Sequence, residues 1–233
     1  QEVKVEMELI AKHPDRKIAS SDLETWKYVA DKINQEIFVR NYLLIQNEKT
    51  KPTSNLKAKY TISVPEGMKI TIQNSFGKVF VKGKVKLLKI KSDFCLIDLN
   101  EVEGKIELNT HYGEVNAKKL NGVSAITSER SDLTISKLGG DCTINSQYGK
   151  LNIESITNLK SLTIDAKKSE IILGEISLKN HSFNLTSKYG KMSLPAEFSW
   201  LENDKTSKVV IFNSTNPSKI NITNSFGNIT INN

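Results

Sequence analysis

Three histidines, two cysteines and 26 acidic residues are the side chains through which this 233-residue chain could do metal, nucleophilic or acid–base chemistry. His13, His111 and His181 lie far apart, and no H-E-x-x-H or C-x-x-C spacing joins them to one another or to Cys95 and Cys142. No G-x-G-x-x-G or G-x-x-x-x-G-K-[ST] loop occurs, so nucleotide binding has no sequence support. The acids Asp93, Asp98, Glu107 and Glu114 fall in one stretch, and a pair of them could serve glycoside hydrolysis if the fold brought them together. Whether it does depends on the elements that carry them.

Those elements repeat. Asn74-Ser75-Phe76-Gly77-Lys78-Val79 recurs as Thr110-His111-Tyr112-Gly113-Glu114-Val115, Ser146-Gln147-Tyr148-Gly149-Lys150-Leu151, Ser187-Lys188-Tyr189-Gly190-Lys191-Met192 and Asn224-Ser225-Phe226-Gly227-Asn228-Ile229. The glycines are spaced by 36, 36, 41 and 37 residues, and degenerate copies such as Ser92-Asp93-Phe94-Cys95 lie midway between the early ones, so the period is 18. Units begin at Ile72, Ile90, Leu108, Ile126 and Ile144 without insertion, then at Ile164, Leu185 and Ile222. Places eight and ten are apolar in every unit while seven and nine are mostly polar, the period of a strand.

An 18-residue unit of short strands and Gly or Ser corners is one coil of a parallel β-solenoid. The expected fold is all-β: a single-stranded parallel β-helix, taken as right-handed, over residues 72–233, with an insertion at about 198–219 and a small α/β cap over residues 1–71. Eight coils at the strand spacing of about 4.8 Å would give a rod about 38 Å long. Each column then has an expected role. Gly in the sixth place supplies a positive-φ corner, relaxed where Cys95, Ser131 or Ser169 replaces it. Small polar side chains in the third place form an internal ladder bonded from coil to coil. In the seventh place Asp132, Lys150, Glu170 and Lys191 alternate in sign and should pair between successive coils.

The fifth place holds Phe76, Phe94, Tyr112, Arg130, Tyr148, Lys168, Tyr189 and Phe226. Exposed ring faces there could stack on pyranose rings, making Tyr112, Tyr148 and Tyr189 with Arg130 and Lys168 the candidate binding residues; a ladder that holds the coils in register is the favoured alternative. The same columns put Asp93, Asp98, Glu107 and Glu114 at places four, nine, eighteen and seven, on different faces, so no catalytic residue, metal site or cofactor is expected. Cys95 at place six and Cys142 at place seventeen are two coils apart, beyond disulfide reach, and are expected to be free and buried.

Ahead of the coils, Val3 to Leu9 reads as a strand, Ser21-Asp22-Leu23-Glu24 as the start of a helix carrying Trp26, Val29, Ala30 and Ile33, and Ile37 to Ile45 and Leu56 to Val64 as strands split by a polar loop over 47–55. That helix would cover the open edge of the first coil. At the other end Ile222 to Asn233 is expected to be the exposed final strand, and the segment from Phe198 to Ser218 a cap or side hairpin.

The formal charge of +7, from 33 basic against 26 acidic residues, is spread along strands such as Lys78 to Lys91 and does not single out nucleic acid as a partner. No 18-residue apolar run is present, so membrane attachment would need an anchor outside this sequence. The first residue, Gln1, fits a mature protein whose signal peptide has been removed.

The run of S-x-[FY]-G-x-[VLI] units, after the strand Lys57 to Pro65 and a strand–helix–strand segment, resembles a bacterial adhesin-type family of unknown function, the toastrack family. The likeness covers about residues 3–231 and is similar to versions from Bacteroides-type bacteria. It implies a secreted, periplasmic or outer-membrane-surface β-solenoid, some relatives being linked to envelope-stress signalling, and it transfers no catalytic residue. The expected function is that of a non-enzymatic adhesin binding a surface glycan or protein. The alternatives are a pectinase-like polysaccharide-degrading β-helix enzyme and an envelope signalling scaffold.

Overall fold

A computed structural model describes residues 2–34, 36–45 and 51–232. The chain divides into two compact units, Gln1–Pro65 and Glu66–Asn233. In the first, β1 (Lys4–Lys12) pairs antiparallel with β4 (Asn55–Ser63), and β2 (Trp26–Ile33) pairs antiparallel with β3 (Glu36–Leu43). The helix α1 runs over Arg16–Thr25 and starts at Asp15, whose carboxylate accepts from Lys17 N at 2.8 Å.

Both ends of the helix differ from the sequence expectation. It begins before Ser21 and stops at Thr25, and Trp26, Val29, Ala30 and Ile33 lie in β2. Spacing alone fits both structures here, and a strand partner decides: the β-branched and aromatic residues of β2 find theirs in Ile37 to Leu43, past Asn34 at φ 57°, and Leu44 N extends the ladder to Thr25 O. Asp22, expected near the helix start, is instead a buried residue inside it. It accepts from Thr53 N at 3.0 Å and Ser54 N at 2.8 Å. Ser54, through its side chain and its amide, and the Thr53 amide beside it hold this carboxyl below its ordinary pKa. The helix therefore ties strands of its own unit together. Part of the predicted polar loop, residues 47–50, lies outside the described residues.

The second unit is the solenoid. Its first two coils and the start of the third form one long strand segment, β5 (Lys69–His111). Each later coil contributes a short strand from places seven to ten and a longer one that runs through places one to four. The short ones are β6 (Glu114–Ala117), β8 (Asp132–Ile135) and the start of β10 (Lys150–Lys167). The longer ones are β7 (Leu120–Glu129), β9 (Leu138–Gln147) and the end of β10. All pair parallel, residue n with residue n+18: Ile97 faces Val115 and through it Leu133, while Leu108 faces Ile126 and then Ile144. Two extra residues enter between Ile156 and Ser161, so Ile144 faces Ile164 across a register shift. Inward columns such as Ile97, Leu99, Ile106, Leu108, Ile126 and Ile144 are buried and form the core that the coils enclose.

The far end departs from chain order. After β11 (Glu170–Glu175), the chain makes β12 (Ser182–Lys188) and β13 (Met192–Ser193), then the antiparallel pair β14 (Trp200–Asn203) and β15 (Ser207–Phe212), with β15 lying on β12. Only then do β16 (Lys219–Ser225) and β17 (Ile229–Ile231) form. β16 lies between β10 and β12, and β17 between β11 and β13. The final coil is thus an inserted one and not the exposed edge, which contradicts the expectation for Ile222 onward. The physical reason is complementarity: Ile220, Ile222, Ile229 and Ile231 are buried on insertion, whereas the edge position takes an antiparallel hairpin that ends the parallel stack. Of the predicted polar ending, Asn232 is exposed and Asn233 lies outside the described residues.

Candidate functional site

The fifth-place residues stand at one corner of the solenoid, and all eight adopt left-handed backbone, from Arg130 at φ 48° to Phe76 at φ 74°. The corner therefore works differently from the sequence expectation. Gly77 has positive φ, but at Gly113, Gly149, Gly190 and Gly227 the preceding aromatic carries it, and glycine is required for close approach. A Cβ on Gly149 would sit 2.1 Å from Ser131 O, and one on Gly227 2.0 Å from Ser169 O. In the intervening coils Cys95, Ser131 and Ser169 donate to the carbonyl two residues earlier, Asp93 O, Glu129 O and Lys167 O, and Ser131 Oγ also accepts from Gly113 N at 3.0 Å. From Gly77 to Gly227 glycine alternates in space with Cys or Ser at this corner, and beyond them Gly190 packs on Gly227.

A left-handed residue points its side chain out of the corner, so successive coils overlay theirs. Phe76 stacks on Phe94 at 5.2 Å between centroids, and Phe94 on Tyr112 at 5.0 Å. The Arg130 guanidinium lies over Tyr112 at 5.3 Å and Tyr148 at 5.2 Å, and Lys168 Nζ lies 5.2 Å over Tyr148. Because the last coil is inserted, Phe226 comes before Tyr189 in space, and the two stack at 5.0 Å. Left-handed backbone costs an L-residue roughly 1 kcal/mol, comparable to what each stacked pair returns. Tyr112, Tyr148 and Tyr189 are 47%, 40% and 60% exposed. Their exposure is at the edges: both faces of Tyr112 and of Tyr148 are occupied by neighbours in the ladder, and one face of Tyr189 is covered by Phe226.

Two other columns differ from expectation. The third-place side chains do not bond to one another, because residues one strand spacing apart exceed hydrogen-bond reach for short hydroxyls. The bonds that form run to the corner, from Asn74 Nδ2 to Phe76 O at 3.1 Å and to Cys95 Sγ at 3.2 Å, between the Ser146 and Ser169 hydroxyls at 3.2 Å, and from Asn224 Nδ2 to Ser169 O at 2.8 Å and to Asn228 O at 3.2 Å. The buried hydroxyls of Ser92, Thr110, Ser128 and Ser187 have no hydrogen-bond partner among the described residues. In the seventh place, Asp132, Lys150, Glu170 and Lys191 form no ion pairs with one another among the described residues; Asn228 separates Glu170's coil from Lys191's, and Asp132 instead accepts from Lys150 N at 2.8 Å. The ion pairs between coils lie earlier, as in Lys89–Glu107 at 3.6 Å, with Lys105 at 2.8 Å from the same carboxylate. The Lys105 ammonium, with Lys89 behind it, holds Glu107 below its ordinary pKa.

Asp93, Asp98, Glu107 and Glu114 are dispersed over the columns that the period assigns them; Asp93 pairs with His111 Nδ1 at 3.1 Å, and Glu114 accepts from Asn116 Nδ2 at 2.8 Å. Among the described residues no group of three or more His, Cys, Asp or Glu is arranged to hold a metal ion. Cys95 and Cys142 are both free and buried, and burial pushes the Cys142 thiol up to about 12. His13 lies in the other unit, its Nδ1 accepting from Asp15 N at 3.0 Å. His181 is buried, its Nδ1 2.7 Å from Ser218 Oγ, and burial lowers its pKa.

Beside the ladder, the outward side chains of places two and four border a shallow groove of about 260 Å³ that crosses four coils, from His111 to Lys167. Thr127, Asn145 and Asp165 succeed one another along place two, with Glu129, Gln147 and Lys167 along place four. The sequence expectation did not include this groove. Its signal was present: places one and three point inward, so the uniformly polar place two had to form a solvent-facing column.

No curated protein and no solved structure matches the chain. The family model described as Toastrack DUF4097 matches residues 32–232, from the end of β2 through the inserted last coil. With its β-solenoid of Gly-cornered coils and this match over most of its length, the chain belongs to the Toastrack DUF4097 family, a family of unknown function.

Proposed function

We propose that this chain is a non-enzymatic, adhesin-type binding module of the cell envelope or the extracellular side, which holds a surface glycan or protein along the outside of its solenoid. The observation that carries the reading is the corner and the face beside it. Repeated outward columns, held by a stacked ladder on a packed core, offer polar side chains at each strand spacing, which suits an extended partner. Preorganised strands make such contact cheap in conformational entropy. In this reading Tyr112, Tyr148, Tyr189, Arg130 and Lys168 contribute ring edges, phenol hydroxyls and cationic groups at the rim. Stacking of a sugar on the faces of Tyr112 and Tyr148 is not part of it, since those faces are occupied.

The test is binding of the purified chain to a glycan array and to fractionated envelope proteins, together with an assay for release of reducing ends from polysaccharides. Retention on a defined glycan or a defined envelope protein, without cleavage, is the expected result. Turnover of a polysaccharide, or absence of binding to both kinds of surface, overturns the proposal. Protease accessibility of the protein on intact cells tests its location.

A further inference from the structure

We infer that the groove beside the ladder binds an extended, uncharged oligosaccharide whose chain runs along the solenoid axis, across the strands. The inference rests on the proposed function and names the ligand class and the residues that meet it.

The argument starts from uncommitted hydrogen-bonding groups. Outward polar side chains elsewhere on this unit are often engaged with the chain itself: Asn116 with Glu114, Ser161 with Asp141, Asp132 with Lys150 N. At the groove's border His111 is held by Asp93, and Glu129 by Arg130. Inside it, the side chains of Thr127, Asn145, Gln147, Asp165 and Lys167 make no hydrogen bond or ion pair with other described residues, although they stand together on three adjacent coils. Amides and a carboxylate offer pairs of donors or acceptors at the spacing of neighbouring sugar hydroxyls. Thr127, Asn145 and Asp165 are short and stand on hydrogen-bonded strands, so they lose little rotamer freedom when a ligand arrives.

Charge and shape narrow the class. Glu129 and Asp165 offset Lys167, so the groove presents no single sign to attract a polyanion or a polycation. Ala166 is its only apolar lining residue, so no large apolar side chain faces a lipid or an apolar peptide side chain there. The polar columns repeat at about 4.8 Å along the axis, whereas an extended peptide presents side chains to one face only every second residue, about 6.6 Å apart. A β-1,4-linked pyranose chain steps at close to the strand spacing and, although alternate sugars are flipped, carries hydroxyls along both edges, so each sugar brings hydroxyls to the next coil's place-two and place-four residues in turn.

Titration of the whole chain with cellopentaose, xylopentaose and chitopentaose, followed by calorimetry and saturation-transfer NMR, tests this. Two groove variants are compared with the wild type: Asn145→Ala/Asp165→Ala removes hydrogen-bonding groups, and Asn145→Trp fills the groove. Both sites are exposed, and circular dichroism and thermal melting verify that the fold is kept. The expected result is binding of at least one oligosaccharide that weakens about tenfold or more in each groove variant, and less in Tyr112→Ala/Tyr148→Ala, which touches only the rim. Unchanged binding in both groove variants overturns the groove and leaves the glycan reading standing. Absence of binding to all three sugars at millimolar concentration overturns the inference, and the glycan array and envelope-protein binding then decide the proposed function separately. Tighter binding to heparin or polyglutamate than to any of the three overturns the uncharged class.

Discussion

The coils from Ile72 to Ile164 and the chain beyond them are built on the same columns but assembled differently. In the first region each strand pairs with the one a single period later, so chain order is spatial order. In the second, the stretch holding Leu185 is laid down one strand spacing too far out, and the coil of Ile222 fills the gap between it and Ile164. A column pattern specifies how a coil is made and which neighbours it accepts, because Ile222 suits the face of Ile164 as well as that of Leu185. It does not specify which copy arrives there. The inserted coil has two parallel partners, and the segments outside it depend on that coil.

The largest effect expected from that difference comes from Ile222→Asp, which buries an unpaired carboxylate between two coils and should cost about 4 kcal/mol. Hydrogen exchange should then show β12 and β15 losing protection while Leu96 to Gln147 keeps it; uniform loss would mean that the two regions fold as one unit. Next comes a pair of glycines. Gly149→Ala drives a Cβ into a backbone carbonyl of the stacked coil and should cost about 3 kcal/mol, whereas Gly77→Ala meets no atom within 4 Å and should cost about 1 kcal/mol, from its φ of 105° alone. Equal losses in denaturant melts would argue against close approach as the reason for the glycine column.

Comparable to the Gly77 change is Arg130→Ala, which removes the cation between Tyr112 and Tyr148 and should lower stability by about 1 kcal/mol, measured by urea unfolding. The smallest effect concerns pH at the junction of the second region. Burial lowers the His181 pKa below 6.5, so on acidification the unfolded chain takes up a proton that the folded chain resists. The stability present above that value should fall as pH drops from 6.5 toward the lower folded value, and His181→Gln should remove this part of the slope. An unchanged slope would assign the acid sensitivity to the carboxylates.

Much of the solenoid was legible in the sequence because its period is local: alternation at places eight and ten is a property of one strand, and the corner motif recurs at the same place in each coil. Tyr112 and Arg130 could be set side by side from spacing alone. Spacing also favoured a register-holding ladder over a sugar strip; that both faces of Tyr112 and of Tyr148 are occupied depends on side chains of three coils at once. Thr127, Asn145 and Asp165 escape notice for the opposite reason: each is an ordinary surface residue until the coils stack and line them up. The helix expectation failed because Trp26 to Ile33 fits two periods, and pairing with β3 separates them.

The sequence by itself determined the 18-residue coil, its inward and outward columns, the aromatic corner and the separation of the two cysteines, all consequences of local periodicity. The tertiary structure decided which residue at the corner takes positive φ, where the last coil sits and which polar side chains share a groove. Each of these depends on contact between segments distant in the chain, where several arrangements satisfy the same local pattern and packing chooses among them.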